Sequence, residues 1–173
     1  QPGLPLGIGH IKTATHDYIR HGTLTLFAAL NYLEGKLITT IAEQHRHQEW
    51  LAFLKKIHRE TPKDLAIHLI ADNYSTHKSA AVQRWLKPKK RRRFHFHFTP
   101  TSSSWLNQVE RLFGLITERM IRRGTFHRVD ELERAIYQWL AAWNNEPRPF
   151  VWKATADVIL DKIRRCQEAI VKD

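Results

Sequence analysis

Two carboxylates carry the clearest chemical potential in this chain. Asp72 closes the apolar run Leu65-Ala-Ile-His-Leu-Ile-Ala71 and is followed by Asn73; Glu110 lies within Trp105-Leu-Asn-Gln-Val-Glu110-Arg111-Leu-Phe-Gly114. An acid at the end of a buried strand and another about two turns into a helix are hard oxygen donors. Such donors suit Mg²⁺ or Mn²⁺, which keep waters and take a phosphate substrate. A pair of these ions can activate an attacking oxygen and stabilise a leaving one. Ligands of open α/β sheets gather at the carboxyl ends of strands, which is where Asp72 falls. Residue type alone leaves a plainer role open for each acid. Asp-Asn is a turn former and a helix cap, and Glu110 could be the surface partner of Arg111 or Arg122.

Around the two acids stand residues able to assist them. Asn73 adjoins Asp72, and His77 can approach the acid through the same turn. Asn107 precedes Glu110 by one helical turn, so within a helix it shares that face and could orient a water or touch phosphate. Ser102, Ser103 and Ser104 offer caps and free N–H groups at a helix start, where a phosphate could bind. Lys87, Lys89, Lys90, Arg91, Arg92 and Arg93 form a basic run broken only by Pro88. It is either a solvated loop or a sequence-blind contact with a phosphate backbone. His45 with His47, and His95 with His97, could each suggest metal binding, but no third soft ligand is apparent from the sequence, and they read as structural or DNA-facing. Trp105 and Trp152 flank loops and could stack on bases; core packing is the competing role for them, as for the other Trp residues.

The elements that must position these groups follow from periodicity. Thr23–Leu30 and Lys36–Ile41 read as strands joined through Asn31-Tyr-Leu-Glu-Gly35, an antiparallel hairpin. Trp50, Leu51, Leu54 and Ile57 fall on one face of a helix that Thr61-Pro62 stops. Leu65–Ala71 reads as a strand covered on both faces. A helix from Ser79 to Lys87, a strand at Phe94–Phe98, and helices at Trp105–Arg122, Val129–Asn144 and Ala154–Val171 complete the order. The pattern predicts an α/β domain in which a mixed sheet, begun by a hairpin, is covered by helices. Only four strands are visible, the low end of the about four to six that a sheet usually has.

Asp72-Asn-Tyr-Ser-Thr-His-Lys78, followed by Phe98-Thr-Pro-Thr-Ser-Ser-Ser-Trp-Leu-Asn-Gln-Val-Glu110-Arg-Leu-Phe113, resembles the catalytic domain of bacterial insertion-sequence transposases of the mariner superfamily. His16-Asp17-Tyr18, Arg20-His21-Gly22-Thr23 and Trp143-Asn144-Asn145 extend the likeness over nearly the whole chain. The resemblance implies a ribonuclease-H-like fold in which two Asp and one Glu bind Mg²⁺ or Mn²⁺ and cut and rejoin DNA. It makes Asp72 the second acid and Glu110 the third. The family's first acid lies on an opening strand upstream of the hairpin, and no strand-like run bearing an acid precedes Thr23 here. Asp17 stands in a His- and Thr-rich loop, at the place of a different family motif. The expectation is therefore a catalytic domain over residues 1–173 with its first strand missing, lacking also the upstream helix-turn-helix region. Such a piece would bind transposon-end and target DNA without cutting it, and the full-length enzyme could act as a homodimer. A non-catalytic DNA-binding remnant and an RNA-directed nuclease of the same broad fold are the competing readings.

Bulk composition agrees with a nucleic-acid partner. Lys and Arg number 28 against 17 acids, a net charge of +11 in 173 residues. That surplus favours a polyanion, and no apolar stretch is long enough to span a bilayer. One Cys excludes an internal disulfide, and no cysteine zinc motif exists, so a reducing cytoplasm is the expected setting; the resemblance implies a bacterial one, near the nucleoid. The chain opens on Gln1 and its one methionine is Met120, which reads as a fragment of something longer.

Overall fold

Thr25–Leu30 (β1) and Leu37–Ala42 (β2) alternate their side chains between two faces, as extended chain must, and pair antiparallel with Leu30 opposite Leu37. The computed structural model describes residues 22–100, 106–151 and 153–170. Gly35 closes the hairpin with φ +74°, bonding its N–H to the Asn31 carbonyl at 2.8 Å. Only glycine holds that conformation here without strain, and a Cβ would also stand 2.5 Å from the Arg148 carbonyl carbon.

One face of the hairpin carries Phe27 into a core shared with helix His47–Glu60 (α1), whose Trp50, Phe53, Leu54 and Ile57 are all buried. Phe53 and Leu54 are 1% and 0% exposed, each worth about 1.5–3 kcal/mol of apolar burial. The other face carries Leu26, Ala28 and Leu30 against Leu112 and Ile116 of helix Gln108–Arg119 (α3) and Ile136 and Leu140 of helix Val129–Asn145 (α4).

Ile67–Ala71 (β3) and Phe94–Phe98 (β4) form a parallel pair, Ile67 opposite Phe94 and Ala71 opposite Phe98. A 3₁₀ turn at Ser75–Lys78 and the short helix Ala80–Leu86 (α2) make the crossover between them. Ile67, Phe94 and Val82 join the α1 core. Ala156–Ile170 (α5) ends the described chain.

Two expectations change. Among the described residues the four strands form two separate two-stranded ladders, β1–β2 and β3–β4, rather than one mixed sheet. Nor is β3 covered on both faces: Ile67 and Ala71 are buried, while His68 and Ile70 are exposed, Ile70 at 61%. Helices α1 and α2 cover one side of this pair, and burial follows from that coverage rather than from the apolar character of the strand.

Candidate functional site

The parallel pair delivers Asp72. The Thr99 N–H donates to the Ala71 carbonyl at 2.9 Å, so β3 and β4 end side by side, and Asp72 is the first residue beyond that edge. The chain then turns through Asn73 and Tyr74 into the 3₁₀ segment, which brings His77 back beneath Asp72. His77 is 8% exposed, with its ring 4.1 Å from that of Trp50 on α1. Burial pushes the His77 imidazole below its ordinary range, more than the neighbouring Asp72 raises it, so the ring is held neutral.

His77 Nδ1 lies 2.9 Å from Asp72 Oδ1 and 3.3 Å from the Asp72 carbonyl oxygen. Only the carbonyl is aligned as a hydrogen-bond partner; Asp72 Oδ1 is buried and accepts no aligned bond. The side chain as a whole is 44% exposed, so its remaining surface faces outward. A buried carboxylate oxygen is costly unless well paired, and His77 Nδ1, 2.9 Å from Asp72 Oδ1, is a near but poorly aligned donor. Together with an open outer side, this is the posture of a carboxylate suited to a hard cation.

Asn73 and Lys78 brace the same turn. Lys78 Nζ donates to Asn73 Oδ1 and lies 4.4 Å from the centre of the Phe98 ring, tying the Asp72 loop to the end of β4. Neither Lys78 nor Trp50 stands out as a site residue in the sequence. Lys78 shows no periodicity, and Trp50 reads simply as core on an apolar helix face.

Glu110 occupies a different position from the one expected. The helix starts at Gln108 rather than near Trp105, and Asn107 is its N-cap, its side-chain oxygen accepting from Val109 N–H at 3.4 Å. Asn107 therefore lies outside the helix, and its side chain is engaged in capping rather than ranged along the Glu110 face. Glu110 falls in the first turn instead of the second, where the helix dipole favours an acid. It is exposed, while Leu112 and Ile116 of the same helix are 0% and 2% exposed and anchor α3 on the hairpin. Among the described residues no three His, Cys, Asp or Glu side chains converge as a ready-made metal centre. Ser102, Ser103, Ser104 and Trp105, like Asp17 and Trp152, lie outside the described residues.

The basic run divides in two. Lys87, Lys89, Lys90 and Arg92 are exposed. Arg91 instead donates to the Trp85 carbonyl at 2.8 Å and lies 4.8 Å from the Trp85 ring. Arg93 donates to the Thr61 carbonyl at 3.4 Å, and its own carbonyl accepts from Ile67 N–H at 2.7 Å. These two arginines hold the turn before β4, and the other four cations face solvent.

Trp143 and Asn144 are fastened to the hairpin. Trp143 Nε1 donates to the Gly35 carbonyl at 2.8 Å. Asn144 accepts from Leu37 N–H at 2.8 Å and donates to the Leu37 carbonyl at 2.9 Å. Among the described residues no helix is long and apolar enough to cross a membrane.

The chain is similar to one curated protein of Shigella sonnei, "Insertion element IS630 uncharacterized 39 kDa protein", at 31% identity over 97 residues. That stretch is 56% of this chain and 28% of the relative, so the chain matches less than a third of the relative's length. The model of the family described as DDE superfamily endonuclease matches residues 7–133, a span that holds both Asp72 and Glu110. Since that match takes in more than half of the chain, the chain belongs to the DDE superfamily endonucleases.

Proposed function

We propose that this chain is the catalytic domain of a DNA transposase of the mariner superfamily, with Asp72 and Glu110 as two of its metal-binding acids. The observation that carries the reading is Asp72 at the carboxyl end of β3, 44% exposed, with no aligned hydrogen bond to its Oδ1 although His77 Nδ1 lies 2.9 Å away. Family membership and the insertion-element relative support it.

Each nearby group then has a role. Asp72 would hold Mg²⁺ or Mn²⁺ through its carboxylate, and neutral His77, packed on Trp50, holds the loop without adding a positive charge. Glu110, exposed at the start of α3, supplies a second carboxylate. The chemistry that a divalent ion held by these carboxylates would supply is Lewis-acid stabilisation of phosphoryl transfer. Lys87, Lys89, Lys90 and Arg92 hold the DNA backbone, a contact that weakens with salt. The first acid of the set would come from a strand upstream of β1. Two features favour such a strand: neither β1 nor β3 has a second partner among the described residues, and both ladders pack on α1 through Phe27, Ile67 and Phe94. The domain would then be ribonuclease-H-like.

A second reading, a basic DNA-binding remnant without chemistry, is favoured by the lack of three converging ligands among the described residues. A strand-nicking assay with Mg²⁺ separates the two. The 173-residue chain should bind duplex DNA without nicking it. A chain extended upstream to include an acid-bearing strand should nick, and should lose nicking with Asp72→Ala. An inactive extended chain, or one indifferent to Asp72→Ala, would overturn the proposal.

A further inference from the structure

The exposed face of the β3–β4 pair carries an unusual set of side chains. Register places His68 opposite His95 and Ile70 opposite His97, so strand alternation brings His68, His95 and His97 to one face, and all three are exposed. The His68 ring centre lies 4.7 Å from that of His95 and 5.3 Å from that of His97. His68 Nδ1 and His97 Nε2 stand 3.0 Å apart. Among the described residues the three rings contact one another, and none of them forms an ion pair with a carboxylate.

We propose that His68 and His97 form a surface site for a borderline-soft divalent transition metal, of which Zn²⁺ is the type, with His95 flanking it. Imidazole nitrogen is a preferred donor for this class of ion. Two nitrogens bound to tetrahedral Zn²⁺ at about 2.0–2.1 Å each stand about 3.3 Å apart, so the observed pair needs only a small opening and a rotation of the rings. Exposure leaves the rings free to make it. Today one ring donates its N–H to the other; for both nitrogens to ligate, the donating ring carries its proton on its second nitrogen instead. That is a tautomer change. Water fills the remaining positions, because no third His, Cys, Asp or Glu converges here among the described residues. The site differs in donor chemistry from the oxygen donors of Asp72 and Glu110, and it stands or falls independently of them.

Titration of the folded chain with Zn²⁺, in excess Mg²⁺ to saturate oxygen-donor sites, tests the proposal by calorimetry and by nitrogen NMR of the imidazoles. One saturable site is expected, with ligation shifts at His68 Nδ1 and His97 Nε2. His68→Ala and His97→Ala should each weaken it at least ~10-fold, while His95→Ala and Asp72→Ala should change it less. These positions are exposed, so unchanged circular dichroism will show that the variants fold. Failure to saturate by ~1 mM, a free energy of only about 4 kcal/mol, would overturn the proposal. So would undiminished binding in the His68→Ala, His97→Ala double variant, or loss of binding in Asp72→Ala alone.

Discussion

Replacing Asn144 with alanine removes a side chain that serves as a one-residue strand. The Asn31 N–H donates to the Lys36 carbonyl at 2.8 Å and closes the hairpin. In an antiparallel ladder the next pair, Leu30 with Leu37, turns its backbone groups outward. Leu37 therefore presents an N–H and a carbonyl on the open edge of β2, and the Asn144 amide meets both, at 2.8 and 2.9 Å. Each bond is worth about 0.5–1.5 kcal/mol net, and a backbone group left without a partner costs about 1–3 kcal/mol where water is excluded. The Leu37 residue is 6% exposed and the two bonds are half-buried, so a total near 2 kcal/mol is expected for Asn144→Ala, toward the lower end of these ranges. For a chain of this size that is a fall in Tm of about 4–8 °C. Asn144→Asp is the sharper control. It keeps the acceptor but sets a carboxylate against the Leu37 carbonyl, so it should cost at least as much as alanine. Trp143→Phe, which forfeits the 2.8 Å bond to the Gly35 carbonyl, should cost about 1 kcal/mol. Urea unfolding with an unchanged m-value is the assay. A loss under about 0.5 kcal/mol for Asn144→Ala, or an Asp variant as stable as the original, would refute the strand-surrogate account, since surface changes fall within that range.

The basic run yields a paired prediction. Replacing Lys87, Lys89, Lys90 and Arg92 together should reduce the slope of log affinity against log salt by up to ~3–4 without lowering stability. Arg91→Ala and Arg93→Ala should instead lower stability, since those side chains bond the Trp85 and Thr61 carbonyls. A filter-binding series in salt beside urea melts reads both. His58 supplies a pH dependence. Burial, then Arg93, Arg91, Lys90 and Lys63, push its imidazole below the ordinary 6.5, and the rings of Trp85 and Phe94 pack against it. A folded value below the unfolded one means that the unfolded chain protonates first. The stability tied to neutral His58 is therefore complete above about 6.5 and is lost as pH falls toward the lowered value. His58→Leu should flatten the stability profile between pH 7 and 5 relative to the original chain. An unchanged profile would show that burial does not hold the ring neutral.

What could be read from the sequence was what local chemistry decides. The strand at Phe94–Phe98 appears with the bounds that its Phe/His alternation gives, because alternation is fixed by the pleat. Helix α1 follows the spacing of Trp50, Leu54 and Ile57. Asp72 falls at a strand end because an apolar β-branched run stops there. The remainder depends on which distant element arrives. Ile70 looks buried in the text and is exposed, since helices α1 and α2 cover only the opposite side of the β3–β4 pair. Asn107 becomes a cap because the first helical turn closes on its carbonyl, a choice that three upstream serines made invisible. Six neighbouring cations are alike as letters, yet Trp85 and Thr61 draw two of them inward. Asn144 reads as a helix breaker until Leu37, 107 positions earlier, is placed beside it. The candidate site follows the same division. Asp72 was visible as an acid, but the setting of its Oδ1 depends on His77, whose Nδ1 lies 2.9 Å from it yet is aligned on the backbone carbonyl, and Trp50 on α1 packs against that ring. The ligand is local; what frees it to bind is tertiary.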